Sequence, residues 1–204
     1  MIKKEAAMVQ IHPQAQALDA LPPRLSRFVN AMTALVDAGA GEARIVEEGG
    51  ALLRELLAHD DWLATAYAQP DPQYYRQYLL YRDPAARFSV VSFVWGPGQK
   101  TPLHNHTVWG LVGILRGAEV AQDYRMDAGG HLQAAGPPLR LEPGTVSAVS
   151  PTLGDIHEVR NAYDDRVSVG VHVYGADIGA VDREVFTLDG GRKPFRSGYA
   201  TPPL

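Results

Sequence analysis

Cysteine is absent from the 204 residues. Its absence excludes disulfides, thiolate metal ligands and a cysteine nucleophile, and it is compatible with the cytoplasm, the expected location. Long apolar runs are missing too. No stretch approaches the roughly 18 residues a membrane-spanning helix needs, so no membrane association is expected. Met1-Ile2-Lys3-Lys4-Glu5 has two lysines but no apolar stretch behind them, which argues against a secretory signal. Basic runs are lacking as well. The 19 lysines and arginines are scattered among 23 acids, for a net charge of −4, so nucleic acid is not an expected partner. There is no internal repeat and no low-complexity tract.

What remains is ordinary for a globular chain: 46% hydrophobic and 21% charged residues, enough for one domain with a sizeable core. Residues 1 to about 22 are mixed and end in Pro22-Pro23, a loose segment by composition. From Arg24 to about Ala38, Leu25, Phe28, Val29, Met32, Leu35 and Val36 recur at helical spacing. A second helical stretch, with Leu52, Leu53, Leu56 and Leu57, runs to Ala58, and a short third one is expected over residues 61–68. Pro70-Asp71-Pro72 closes this part. Strand character then dominates. Strands are expected at 75–81, 87–95, 104–116, 118–125, 139–142, 145–149, 156–161, 166–175 and 183–188, separated by Gly- and Pro-rich turns. Helices followed by many short strands predict a mainly β barrel or sandwich. The organisation reads as a helical segment over 1–72 packed on a β-barrel domain over 73–204.

Seven histidines are present. His12, His59 and His131 lie in polar or loop contexts and read as solvated. His104 and His106 form His-Asn-His at the start of the strand expected over 104–116; on one strand, residues i and i+2 share a face, so their imidazoles can converge. Taken alone, the pair is equally readable as two surface histidines on an edge strand. Gly98 lies six residues before His104, Gly117 eleven after His106, and His157 sits in Gly154-Asp155-Ile156-His157-Glu158-Val159-Arg160-Asn161.

Here the chain resembles the cupin family over roughly residues 75–190. Gly98, His104, His106 and Gly117 match the first cupin motif; Gly154, His157 and Asn161 match the second. The resemblance implies a jelly-roll barrel and a metal held by His104, His106 and His157. One departure matters. The motif's glutamate, three or four residues after His106, is missing; Gly110 and Leu111 stand there. The implied site has three neutral nitrogen ligands, which leaves the cation its full charge and favours an anionic added ligand such as a thiolate. Zinc also accepts three histidines, so the ligand set does not name the metal.

The combination further resembles the cupin thiol dioxygenases, the cysteine dioxygenase type I family. It rests on Tyr75-Arg76-Gln77-Tyr78-Leu79-Leu80-Tyr81-Arg82-Asp83, Phe93-Val94-Trp95-Gly96-Pro97-Gly98, Pro102 to Gly110, and His172-Val173-Tyr174-Gly175. The resemblance implies Fe(II) as cofactor, with a small thiol carboxylate and O2 as substrates and a sulfinate as product. It implies that Tyr174 faces the iron and that His172 bonds Tyr174; as i and i+2 on a Val-rich strand, the two share a face. The family's serine two residues before that histidine is Gly170 here, with Ser168 two further back, so the relay is shortened or completed by water. Gln77 stands where cysteine dioxygenases carry a carboxylate-binding arginine, and Arg183 falls at the spacing of the arginine in the bacterial 3-mercaptopropionate type. That pairing favours 3-mercaptopropionate over cysteine. Arg183 is also readable as a surface ion pair with Asp182 or Glu184. Another metal cupin, or a non-catalytic one that binds a small ligand, remains open.

Overall fold

The computed structural model describes residues 18–202. The readings of residues 1–17, His12 among them, lie outside that range. His59 and His131 are exposed.

Helix α1 (Pro23–Asp37) starts on a proline at its first position, where the missing N–H costs nothing. It ends where Gly39 turns into the left-handed region. Leu25, Phe28, Val29, Met32 and Leu35 form its buried face. A short α2 (Glu42–Arg44) and a π-helical turn (Ile45–Gly49) lead into α3 (Gly50–Leu57), which buries Leu53, Leu56 and Leu57. The helix expected over 61–68 is only a 3-10 turn at Thr65–Ala68. Ala64 is extended, and the buried Trp62 donates its Nε1–H to the Leu56 carbonyl, so the side chain anchors the segment where a helix would have continued.

Twelve strands follow: β1 (Arg76–Arg82), β2 (Ser89–Trp95), β3 (Leu103–His104), β4 (Gly110–Arg116), β5 (Glu119–Met126), β6 (Leu132–Ala134), β7 (Leu139–Leu141), β8 (Val146–Val149), β9 (Ile156–Asn161), β10 (Ser168–Tyr174), β11 (Arg183–Phe186) and β12 (Arg192–Phe195). One sheet runs β1-β2-β10-β4-β8 and the other β12-β11-β3-β9-β5-β6, with β7 on the same edge of β5 as β6. The inner orders β2-β10-β4-β8 and β3-β9-β5-β7 interleave as a jelly roll. The fold is the mainly β cupin jelly roll expected from the sequence. β6 and β12 were not expected; they are short, with mostly exposed side chains and no readable alternation.

Two strands explain the dense apolar runs. In β10, Val169, Val171 and Val173 face a core shared with α1 and α3, while Tyr174 belongs to a second core inside the barrel. In β2, Val90 and Val94 face the helices, and Val91, Phe93 and Trp95 face inward. A sheet covered on both faces has no polar side to alternate with. The inward face of this doubly buried sheet carries the polar groups described below.

Replacing Leu53, which is fully buried among the helix-side core residues, by alanine is expected to destabilise the fold by about 2–5 kcal/mol. The change is read as a lower urea midpoint. Leu139→Ala, at an exposed leucine, is expected to shift stability by less than about 0.5 kcal/mol.

Candidate metal centre

His104 and His157 lie on neighbouring strands of one sheet, and His106 lies in the loop just beyond β3. His104 ends β3 and lies directly opposite His157 of β9 in the antiparallel register. The long strand expected over 104–116 is broken: β3 stops at His104 and β4 begins at Gly110. His106 therefore does not share a strand with His104. Thr107 adopts a positive φ of 60°, which sharply redirects the chain.

The Asp155 carboxylate holds that turn. It accepts hydrogen bonds from the backbone N–H groups of His106 and Thr107, both at 2.9 Å, and lies 3.2 Å from His106 Nδ1. Asn105 ties the other side: its N–H donates to the Glu184 carbonyl at 3.2 Å and its Oδ1 accepts from Glu184 N–H at 2.8 Å. The backbone of His106 is thus paired by a side chain from the β8–β9 loop instead of by a neighbouring strand.

The three imidazoles nevertheless converge. Their ring centroids are 4.8 Å apart on every side, and one nitrogen from each lies within 4.8 Å of the other two. All three rings are buried. His104 Nδ1 is 3.0 Å from the Pro102 carbonyl. A carbonyl only accepts, so Nδ1 carries the proton and Nε2 keeps its lone pair. Asp155 does the same for His106, whose Nε2 is buried without a partner. A ligand histidine held through its other nitrogen by a carbonyl or carboxylate is the usual arrangement at metal sites. Burial pushes His104 from the ordinary 6.5 down to about 4 and drives His106 and His157 well below 6.5; the neighbouring imidazoles add to the depression of the last two. Neutral imidazole is the form that binds metal. Burial raises the Asp155 carboxyl, and the N–H donors of Thr107 and His106 pull it back. The donor set therefore fits a metal ion.

Gly110 stands where the cupin motif has its glutamate. A Cβ there would come within 2.9 Å of the Tyr174 ring, so the absent side chain is what lets that ring in. Tyr174 stacks on His106 at 5.6 Å between centroids, and its hydroxyl is 3.0 Å from His172 Nδ1. Burial raises the Tyr174 hydroxyl well above its ordinary range and lowers His172 to about 3. His172 stacks on Phe93 at 4.8 Å.

A cavity of about 310 Å³ opens beside the cluster, lined among others by Tyr75, Gln77, His104, Tyr174, Arg183 and Tyr199. Arg183 is not the surface ion pair that its neighbours allowed for. It is buried, while Asp182 pairs with Arg196 and Glu184 with Arg192. Arg183 Nη2 donates to Ser197 Oγ at 2.6 Å, its guanidinium lies over Phe195, and its Nε has no partner. No carboxylate pairs with it among the described residues. Gln77 spends its Nε2 donors on the Gly198 carbonyl at 3.0 Å and Ser197 Oγ at 3.2 Å. It anchors the segment that holds Arg183.

Asp155, Ser197 and Glu119 escaped the sequence reading. Asp155 carried one signal, a carboxylate two residues before His157. Ser197 and Glu119 carried none.

No family model matches the chain. Solved structures of similar fold include an uncharacterized conserved protein with a double-stranded β-helix domain from Klebsiella pneumoniae subsp. pneumoniae MGH 78578, at 15% identity over 63% of this chain and 93% of that one, TM-score 0.47. A cupin superfamily protein from Desulfitobacterium hafniense DCB-2 is similar at 16% identity over 58% and 94%, TM-score 0.42. An oxalate oxidase in complex with the substrate analogue glycolate is similar at 16% identity over 58% and 62%, TM-score 0.43.

Asp155→Ala is expected to weaken metal affinity about 10- to 100-fold, measured by chelator competition, and His157→Ala to abolish stoichiometric binding. The depressed histidines also set an acid limit. Between 6.5 and about 4, His104 is protonated in the unfolded chain but not in the folded one. Unfolding then takes up protons, and stability falls as pH falls through that window. Metal-free protein is expected to show a urea midpoint that drops on acidification from pH 6.5, more steeply than in His104→Gln.

Proposed function

We propose that the chain is a thiol dioxygenase that holds Fe(II) on His104, His106 and His157 and converts a small thiol carboxylate to its sulfinate with O2, with 3-mercaptopropionate preferred to cysteine. The observation that carries the reading is Arg183, a buried cation without a carboxylate partner, facing the cavity that also opens on His104 and Tyr174. A buried guanidinium with an unpaired N–H suits the carboxylate of a substrate, which would complete its hydrogen bonds. A volume of about 310 Å³ is at the small end for ligand pockets and suits a short acid.

When bound, the metal supplies a Lewis-acid centre at which a thiolate and O2 meet. The three neutral imidazoles leave the cation charge uncompensated, which favours an anionic sulfur. Arg183 anchors the carboxylate end and so places the sulfur toward the histidines, and Ser197 and Phe195 fix its guanidinium from either side. Tyr174 sits against the His106 ring, so its hydroxyl is available to the oxygen that reacts. Both oxygen atoms enter the sulfinate, and sulfur supplies the electrons, so no further reductant is needed. Gln77, with its amide donors committed to residues 197 and 198, acts on the substrate only through Arg183's surroundings. Arg76 also lines the cavity but is paired with Asp71, so the substrate meets one arginine there that has no carboxylate partner, which suits a thiol acid.

The test is O2 uptake and sulfinate release by the Fe(II)-loaded protein with 3-mercaptopropionate, cysteine and cysteamine. One sulfinate per O2, fastest with 3-mercaptopropionate, is expected. A strong preference for cysteine overturns the substrate, and no sulfinate from any thiol overturns the activity. Arg183→Met is expected to lower kcat/KM for 3-mercaptopropionate about 100-fold, mainly through KM, since a charged hydrogen-bonded contact is worth about 1.5–3 kcal/mol. Its effect on cysteamine, which has no carboxylate, is expected to be slight.

A further inference from the structure

Glu119 opens β5, in the sheet opposite β10, and is wholly buried. Its Oε1 accepts the Trp95 indole N–H at 2.8 Å, and its Oε2 has no partner. His172, on β10, has the complementary vacancy: Nδ1 meets the Tyr174 hydroxyl at 3.0 Å, and Nε2 has no partner. Gly170 lies between the two. A Cβ on residue 170 would stand 2.7 Å from Glu119 Oε1 and 2.7 Å from His172 Nε2. The two atoms are therefore no further apart than twice that length, and with no hydrogen bond between them the gap is one that a single water spans. Buried polar atoms are paired as a rule; the space left by residue 170 lies between the unpartnered His172 Nε2 and Glu119 Oε1, the carboxyl oxygen that also accepts the Trp95 N–H.

We propose that Glu119 is a positioning residue for Tyr174: by holding a proton against His172 Nε2 across the space left by Gly170, it keeps the ring proton on Nδ1 and turns the Tyr174 hydroxyl proton into the cavity. The logic is one of donors and acceptors. If the carboxyl donates to Nε2, the neutral imidazole has its proton on Nδ1 and donates it to the tyrosine oxygen, so the tyrosine O–H points elsewhere. If the carboxyl is ionised, it accepts from Nε2–H. Nδ1 then accepts from the tyrosine, whose proton is withdrawn from the cavity.

Burial supports the first arrangement at neutral pH. It raises Glu119 to about 8, opposed only by the Trp95 N–H, and lowers His172 to about 3. The ionisable groups that face Glu119 are His172 and, beyond it, Tyr174, both on β10; Trp95 on β2 is a neutral donor. No further charge acts on it among the described residues. The glutamate comes from the opposite sheet, so it stabilises the same ring that a side chain at position 170 would otherwise reach.

The tautomer needs no metal and no turnover; only its consequence for catalysis rests on the dioxygenase reading. The test uses metal-free full-length protein with nitrogen-15-labelled histidine. His172 is expected to carry Nδ1–H at neutral pH and to invert to Nε2–H as pH passes about 8. Infrared difference spectra are expected to show a protonated-carboxyl stretch that Glu119→Gln removes. Glu119→Gln keeps an N–H donor, so it is expected to retain the Nδ1–H form and lose the alkaline inversion. Glu119→Ala is expected to lose the preference. A tautomer indifferent to Glu119→Ala overturns the proposal. If that variant does not fold, an alkaline inversion that persists in Glu119→Gln overturns it equally. With iron loaded, turnover of Glu119→Gln is expected to hold at alkaline pH where the wild type declines in kcat. If no thiol yields sulfinate while the tautomer behaves as stated, the dioxygenase reading falls and the Glu119 assignment stands.

Discussion

The grip of the Asp155 carboxylate on the turn after β3 is the interaction the site depends on. One side chain takes two backbone N–H groups and faces the ring nitrogen of His106. A non-glycine residue with positive φ, such as Thr107, costs on the order of 1–3 kcal/mol and persists only where surroundings over-determine it. The carboxylate supplies that over-determination and fixes the His106 tautomer at the same time. Position and protonation of one ligand are set by a single group, itself two residues from another ligand, His157.

What the sequence made legible follows from how local each cause is. The apolar spacing of Leu25, Phe28, Val29, Met32 and Leu35 is a property of one helix, and α1 could be read within a residue at either end. The spacing of Gly98, His104, His106 and His157 identified three histidines that do come together. The reason offered for the first pair, a shared strand face, does not hold, because the partner that ends β3 is a carboxylate some fifty residues away. Arg183 could be singled out only by resemblance, since its immediate neighbours are both acids and its burial is decided by residues 195 and 197. Glu119 reads as one polar residue in a strand. Its role comes from a glycine on another sheet.

Charge in the site is distributed with the same economy. Burial strips the three imidazoles of protons, and the tyrosine and His172 stay neutral for the same reason. The charges near the cavity are then the unpaired Arg183 guanidinium, the Arg76–Asp71 ion pair at the lining, and the Asp155 carboxylate behind His106. A charge placed beside the histidines would lie among buried, largely neutral groups, where it would interact more strongly than in water.

Part of the cavity wall is made by Ser197, Gly198, Tyr199 and Ala200. It is a strap, not a strand. Gln77, Arg183 and Asp177 hold it through side chains, and backbone bonds join Ala200 to Gln77 and Gly198 to Gly179. Apart from a single bridge between Ala200 and Tyr78 of β1, these residues lie outside the ladders that close the barrel. Substitutions in the strap would reshape that wall of the cavity while leaving the histidine cluster and the strand pairing of the jelly roll in place.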